Sequence, residues 1–481
     1  MVNVCGCQKP LCFPERSLMA AAQIASASAA YDTDGDKQAD FYTFTDPSGR
    51  ITRLGYGALV EGRPQQIVNL GELTFQGRRH LVIILDGFGY HVVKDYYGSG
   101  GLRMFFPPSR VVAPYPTLTD VAMEDLLGYV PCVGLEAKYY DRRRGAIVGG
   151  SSAYLAGENQ PYNHLLDYRA SLLWDALGYV APWEVFGKEI NDLIRLLDRN
   201  DRQEVIAYLV SSAGISTISG ADGQVLALKR IDRLVHQVIW SSRGLTQVTL
   251  LADHGHSYKP GVLLPLDQDL RKKGWRITDT PREARDVAYV RFGLETYASF
   301  GCRRPAELAA DLAACLGVTV VSYVEGDSVV VLGDGGRAVI RHKAGRYKYE
   351  ATQGDPLKLK GILAALQADA EGFYDDRTIF DATAEHEYPD PLERLWRAHF
   401  SLVQNVPDVI VSLADEYCSG DASFSGAVSI VSTHGGLNTN NSTTFVMSTV
   451  GPLPPLMRSA DVPARMTWLL GRPWPAKLGR P

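Results

Sequence analysis

The sequence predicts an α/β fold in which helices sandwich a mainly parallel central sheet, with an inserted α+β cap subdomain. Three observations predict it. Apolar runs without polar alternation lie within 80–90, 204–212 and 246–256, as parallel strands buried on both faces require. Stretches with helical periodicity separate them, notably 189–199 and 225–240. From 285 to 350 the texture turns to closely spaced short strands around a single helical stretch, "PAELAADLAACLG". With 481 residues, 46% apolar and 21% charged, the chain has an ordinary globular composition. A net charge of −5 offers no basic surface for nucleic acid, and no run of 18 apolar residues predicts a transmembrane helix.

Taken in order, residues 1–30 read as a signal-like or disordered N-terminus. The small residues of "SLMAAAQIASASAA" (17–30) suggest export, and hence a periplasmic or extracellular location; the alternative is an exposed Ala-rich helix. Cys5, Cys7 and Cys12 belong to an odd, scattered set of seven cysteines, which is no disulfide framework. In 31–75, Asp32, Asp34, Asp36 and Asp40 take loop positions one, three, five and nine of a Ca²⁺ loop, although position twelve is Thr43 rather than Glu. A solvated acidic turn is the competing reading. "DFYTFTD" and "RITRLGYG" follow as a hairpin around Pro47-Ser48-Gly49. Residues 76–284 form the first part of the core, 285–350 the cap, 351–470 the second part and 471–481 a tail. In the second part, "GAVSIVSTHGG" (426–436) and "STTFVMST" (442–449) read as further core strands.

Three of these strands share one grammar: an apolar run, then Asp or His, then Gly. They are "IILDG", "LLADHG" and "IVSTHGG". The C-terminal ends of parallel strands lie together at one edge, where ligands bind, so Asp86, Asp253, His254 and His434 are expected to converge. Asp and imidazole are the usual donors for Zn²⁺, or for Mn²⁺ where oxygen dominates. Thr119 is expected as the N-cap of a helix beginning after "YPTLT", where free N–H groups favour an anion such as phosphate. A metal beside its hydroxyl would make it a nucleophile toward phosphorus. Thr117 is the nearby rival.

The ordered set "LDGFG", "YPTLT", "ADHGH" and "THGGLN" resembles the alkaline phosphatase superfamily, in particular its type I phosphodiesterase/nucleotide pyrophosphatase branch. The resemblance spans roughly residues 80–450. It implies an alkaline phosphatase-like core and one metal held by Asp86, Thr119, Asp253 and His254, with Thr119 as nucleophile. It assigns His434 to a second metal. Two-metal members carry an Asp-x-x-x-His pair at a position where this chain has Ala213 and Thr217. Three explanations are open: His256 replaces a lost ligand, Asp232 and His236 supply the pair, or the protein uses one metal or is catalytically crippled. His256 reads equally well as a hydrogen-bonded neighbour of the site.

The expected function is metal-dependent hydrolysis of phosphate mono- or diesters through a phospho-threonine, with an altered second metal site and Zn²⁺ or Mn²⁺ as one or two ions. A phosphoryl-type transferase and a catalytically degenerate binding protein of the same fold are the alternatives, and a sulfatase ranks lower. Asn438 or Asn441 is a candidate substrate contact, against the plainer reading of a polar loop. Tyr347, Tyr349 and Asp355 read first as packing residues, and 141–145 as a solvated basic turn.

Overall fold

The computed structural model describes residues 18–19, 27–73, 78–128, 130–171, 174, 177–421 and 430–479. Cys5, Cys7 and Cys12, residues 20–26 of the signal-like stretch and residues 422–429 lie outside them.

The core is a seven-stranded sheet. In chain order its strands are β1 (Arg79–Leu85), β2 (Ser109–Val112), β3 (Tyr168–Arg169), β4 (Glu204–Leu209), β5 (Thr246–Ala252), β6 (Thr443–Ser448) and β7 (Leu456–Arg458). Their spatial order is β3-β4-β1-β5-β6-β2-β7. Every neighbouring pair is parallel except the two that involve β6, so six strands share one direction and β6 alone is reversed. The helices that follow are α1 (Tyr90–Gly98), α2 (Thr119–Leu127), α3 (Pro182–Arg199) and α4 (Ser211–Ser241).

Both faces of this sheet are covered, because successive strand residues point to opposite sides. Leu81, Ile83 and Leu85 of β1 join one core with α1, α3 and α4; Val82 and Ile84 join another with α2 and the C-terminal helix Val462–Leu470. That explains why these strands read as unbroken apolar runs. α4 breaks at Gly220, whose φ of 54° and ψ of −144° are not helical, so the segment that holds Ala213 and Thr217 is separate from the long helix after it.

A second, nine-stranded sheet stands beside the core. Its strands run from Arg276–Ile277 to Val409–Leu413, so it begins before residue 285 and continues past residue 350. The strand Val409–Leu413, remote in sequence, lies between Tyr297–Cys302 and Val318–Glu325. Tyr347 packs on Trp396, and the Tyr349 hydroxyl donates to Asp355 at 2.8 Å, so these residues serve packing. Residues 141–145 turn between two short strands, with Arg143 and Arg144 exposed.

The N-terminal region forms a five-stranded sheet that includes the expected hairpin, Phe41–Thr45 against Ile51–Val60. Leu18–Met19 pairs there with Ala30 and Tyr31. Among the described residues, no helix is long and apolar enough to cross a membrane.

Residues 430–436 are not a strand, which corrects the reading of 426–436. β6 fills the slot beside β5. The 430–436 segment instead runs as a loop whose carbonyls accept from Ser257 and Thr296 backbone N–H, each at 2.6 Å.

Arg458, at the end of β7, ties the core to the helices of the second unit. Its Nε donates to Asp390 and its two Nη to Asp376, at 2.6 Å. Asp390 is 1% exposed, so removing its partner strands a buried charge. Arg458→Met is expected to lower unfolding stability by about 3 kcal/mol in urea titration.

Candidate active site at the sheet edge

The site residues are delivered by four strands of the central sheet. β1 ends at Leu85 and β5 at Ala252, and these two residues are paired in register, so Asp86 and Asp253 emerge side by side. β2 leads through 113–118 into α2, which places Thr119 at the same edge. β6 runs the other way, so its approach, 434–442, starts there too and brings His434. Asp86, Asp253, His254 and His256 are between 0 and 3% exposed.

Around His254 the donors gather. Its Nε2 lies 3.4 Å from Asp253 Oδ2, 3.8 Å from Asp86 Oδ1 and 3.3 Å from Thr119 Oγ1. Its Nδ1 lies 2.8 Å from the Gly255 carbonyl oxygen, which can only accept, so the ring proton is on Nδ1 and the Nε2 lone pair faces the carboxylates. Asp253 is held from behind: Gly87 and His254 backbone N–H donate to Oδ1 at 2.9 and 2.8 Å. Its Oδ2 is buried and accepts no hydrogen bond from the described residues. Burial raises the Asp253 carboxyl to about 6 and lowers the His254 imidazole to about 4. Two buried carboxylates, an orphaned oxygen and an imidazole lone pair are what a divalent cation satisfies, and the donor set suits Zn²⁺ or Mn²⁺.

Thr119 is the first residue of α2 rather than its N-cap; Leu118 holds that position, with extended φ and ψ. Its hydroxyl therefore reaches toward His254 instead of closing the helix end. Thr117, the rival, is buried, and its hydroxyl donates to the Gly436 carbonyl at 3.2 Å and accepts from Gly435 N–H at 2.9 Å. His434 stacks on His254 with ring centroids 4.1 Å apart. Its Nδ1 lies 3.0 Å from the Thr117 carbonyl, so its Nε2 also carries a lone pair. Burial, and then His254, lower it to about 3.

Around the second metal's expected place the structure offers hydrogen bonds. Ala213 is buried and Thr217 gives its carbonyl to Val431 N–H at 2.9 Å. Next to them in sequence, Ser212 Oγ accepts from the Asp86 N–H at 2.6 Å, and Ser216 Oγ donates to the Gly87 carbonyl at 3.1 Å. Gln224 Nε2 donates to the same carbonyl at 2.7 Å. Asp232 and His236 are not substitutes. They pair with each other at 3.3 Å beneath Tyr96 and Leu102, whose hydroxyl and N–H donate to Asp232. Among the described residues, Asp86, Asp253 and His254 are joined by just one other group of three potential ligands, Asp32, Asp34 and Asp36. Asp40 is not in that second group, because its carboxylate takes the N–H and hydroxyl of Thr33 at 3.1 and 2.6 Å.

Asn438 donates to the Leu413 carbonyl at 3.1 Å and to Asp415 at 2.9 Å, and Asn441 to Asp415 at 2.8 Å. Asn438 lines a cavity of about 250 Å³ with Lys259, Glu387, Asp415 and Glu416; none of the residues around His254 lines it.

Several residues escaped the sequence reading. The Tyr208 hydroxyl donates to Asp86 Oδ2 from within β4. A tyrosine in a fully buried strand needs a partner for its hydroxyl, which was the available signal. Burial, with Asp86 and Asp253 nearby, pushes that phenol far up, so it stays a donor. Tyr208→Phe is expected to weaken metal binding about tenfold, read by isothermal titration, because it frees a carboxylate the hydroxyl holds in place.

The chain carries a Cys-x-Pro-x-Arg string, Cys12-Phe13-Pro14-Glu15-Arg16, the spacing from which the resembled superfamily's sulfatases make formylglycine. It lies outside the described residues. A sulfatase ranks lower because the string precedes β1 and because Thr119 already stands at the helix start.

No protein-family model matches the chain. No curated protein matches it either. Among solved structures, human ectonucleotide pyrophosphatase/phosphodiesterase 5 aligns at a TM-score of 0.46 and 12% identity, over 82% of this chain and 95% of that one. Its murine counterpart, inactive and in complex with AMP, aligns at 0.43 and 11%, over the same shares. Phosphonoacetate hydrolase from Sinorhizobium meliloti 1021, in complex with phosphonoformate, aligns at 0.46 and 13%, over 86% of this chain and 98% of that one.

Proposed function

We propose that the chain is a metal-dependent hydrolase of phosphate mono- or diesters that uses Thr119 as nucleophile. The observation that supports this most is the single cluster of Thr119 Oγ1, Asp253 Oδ2 and Asp86 Oδ1 around His254 Nε2. Asp86, Asp253 and His254 would hold one divalent cation, Zn²⁺ or Mn²⁺, beside Thr119. Such a cation supplies Lewis acidity, which lowers the pKa of a nearby hydroxyl and offsets charge on phosphoryl oxygens.

The rest falls to the protein. Thr119 Oγ1 gives up its proton to solvent and forms a bond to phosphorus as the ester P–O bond breaks, and the leaving alkoxide takes up a proton from solvent. The free N–H groups at the start of α2 face the phosphoryl oxygens. Water then attacks the phospho-threonine, the P–Oγ1 bond breaks as Thr119 regains a proton from that water, and phosphate departs from a monoester substrate or a phosphate monoester from a diester. His254 and His434 stay neutral at physiological pH, so their lone pairs remain available.

A transferase would share the first step and differ in its acceptor. The observation that favours a degenerate binding protein is the loss of the ligand pair at Ala213 and Thr217. Turnover of p-nitrophenyl phosphate and bis-p-nitrophenyl phosphate, with Zn²⁺ or Mn²⁺ and after chelation, decides between these readings. Hydrolysis that chelation abolishes and metal restores supports the hydrolase; none with any added metal leaves the binding reading.

Asp253 also sets a pH dependence. Metal must displace the proton that this carboxyl binds below about 6, so metal affinity is expected to fall as pH drops through that value. For the metal-free fold the sign reverses. A carboxyl raised from 3.8 contributes stability that is present below its unfolded value and lost as pH rises through about 6. Metal removal should therefore lower the melting temperature more at pH 7.5 than at pH 5, by scanning calorimetry.

A further inference from the structure

We propose that His256 is a hydrogen-bond donor to a phosphoryl oxygen of the substrate, not a ligand of a second cation. The proposal rests on the phosphoesterase reading above and names a contact which that reading does not supply.

The three site histidines differ in what their Nδ1 atoms meet. In His254 and His434 it is a backbone carbonyl, which fixes the proton on Nδ1 and leaves Nε2 as an acceptor. In His256 it is the hydroxyl of Ser432, at 2.7 Å. Ser432 Oγ already accepts the Tyr258 N–H at 2.8 Å. Its single proton needs an acceptor, and among the described residues Nδ1 of His256 is the one within reach. The hydroxyl therefore donates to Nδ1, and the neutral ring carries its proton on Nε2.

The opposite assignment fares worse. If Nδ1–H donated to Ser432, the buried hydroxyl proton would have no acceptor among the described residues, even with a cation on Nε2. In the assignment made here the sole orphan is the buried Nε2–H, and an anionic oxygen satisfies it.

The ring also lies beside the other site residues, its centroid 6.5 Å from that of His254. Gly87, at φ +69°, directly follows Asp86; a Cβ there would come 2.7 Å from His256 Cδ2 and 3.0 Å from Nε2. Glycine thus lets the imidazole approach the Asp86–Gly87 turn. Its centroid is 5.4 Å from that of His434, on the side where the Asp-x-x-x-His pair is replaced. The surrounding Ser212, Ser216 and Gln224 supply hydrogen bonds rather than metal ligands.

The test uses the full chain as wild type, His256→Leu, His256→Gln and Ser432→Ala. Histidine-selective ¹⁵N NMR of the metal-free wild type is expected to show the Nε2–H tautomer for His256. Titration with Mn²⁺ is expected to give the same number of ions per chain in all four. Inorganic phosphate should then bind the loaded protein on the order of tenfold more weakly in His256→Leu and Ser432→Ala, with most of the loss recovered by the amide donor of His256→Gln. An Nδ1–H tautomer, a lost ion in His256→Leu, or phosphate affinity unchanged by that substitution overturns the proposal. So does a wild type that binds metal but no phosphate. A wild type that binds no metal overturns the phosphoesterase reading itself, and this proposal with it.

Discussion

Thr119→Ala is expected to reduce turnover of bis-p-nitrophenyl phosphate by at least about 10³-fold while metal affinity changes far less. The asymmetry follows from the geometry. Asp86, Asp253 and His254 remain to hold the cation, and Asp253 Oδ1 keeps both of its backbone donors. What disappears is the oxygen that bonds to phosphorus. Thr119→Ser, which restores a hydroxyl at the first position of α2, should recover a large part of the rate. A labelled phosphoryl group should be trapped on the wild type by acid quench and be missing from the alanine variant. Turnover unchanged in Thr119→Ala would remove the covalent step and leave at most direct attack by water.

Asp253→Asn should have the second largest effect, a loss of at least about 10²-fold in metal affinity. The orientation of the new amide is dictated. Gly87 and His254 N–H groups both point at the Oδ1 position, so the amide oxygen must stay there to accept them. The amide nitrogen then takes the place of Oδ2, 3.4 Å from His254 Nε2, and presents protons where a cation needs a lone pair. The fold itself should not suffer. Asp253 is fully buried with a carboxyl raised to about 6, so at pH 7.5 the metal-free wild type carries a costly buried charge that asparagine removes. Metal-free Asp253→Asn is expected to melt no lower than the metal-free wild type. A variant that unfolds would show that the carboxylate supports the fold rather than the cation.

Much of the site was legible because local signals and global topology agreed. Asp86 and Asp253 each follow an uninterrupted apolar run, and parallel pairing of such runs must bring their ends to one edge. Thr119 was readable from the switch between a Pro-rich extended segment and a helical pattern, although the helix begins at Thr119 rather than after it. What stayed hidden depends on long-range pairing. No periodicity announces that 409–413 lies in the middle of the second sheet, or that β6 runs against its neighbours. The segment 430–436 is apolar enough to read as a strand, but its place beside β5 is already filled. Asp232 and His236 have the spacing of a ligand pair, yet they lie in a helix that packs against α1, away from the sheet edge. Of Asp32, Asp34, Asp36 and Asp40, the first three bring carboxylate oxygens within 4.8 Å of one another, while Thr33 captures the last carboxylate locally.

The most direct test is anomalous diffraction at the zinc edge from crystals grown with Zn²⁺. The account predicts one strong peak at the sheet edge, bonded to Asp86, Asp253 and His254 with the Thr119 hydroxyl beside it, and no second ion on His434 and His256. A sheet edge without an ion, a second ion on His434 and His256, or an ion at this edge with the Thr119 hydroxyl turned away from it, would contradict the account.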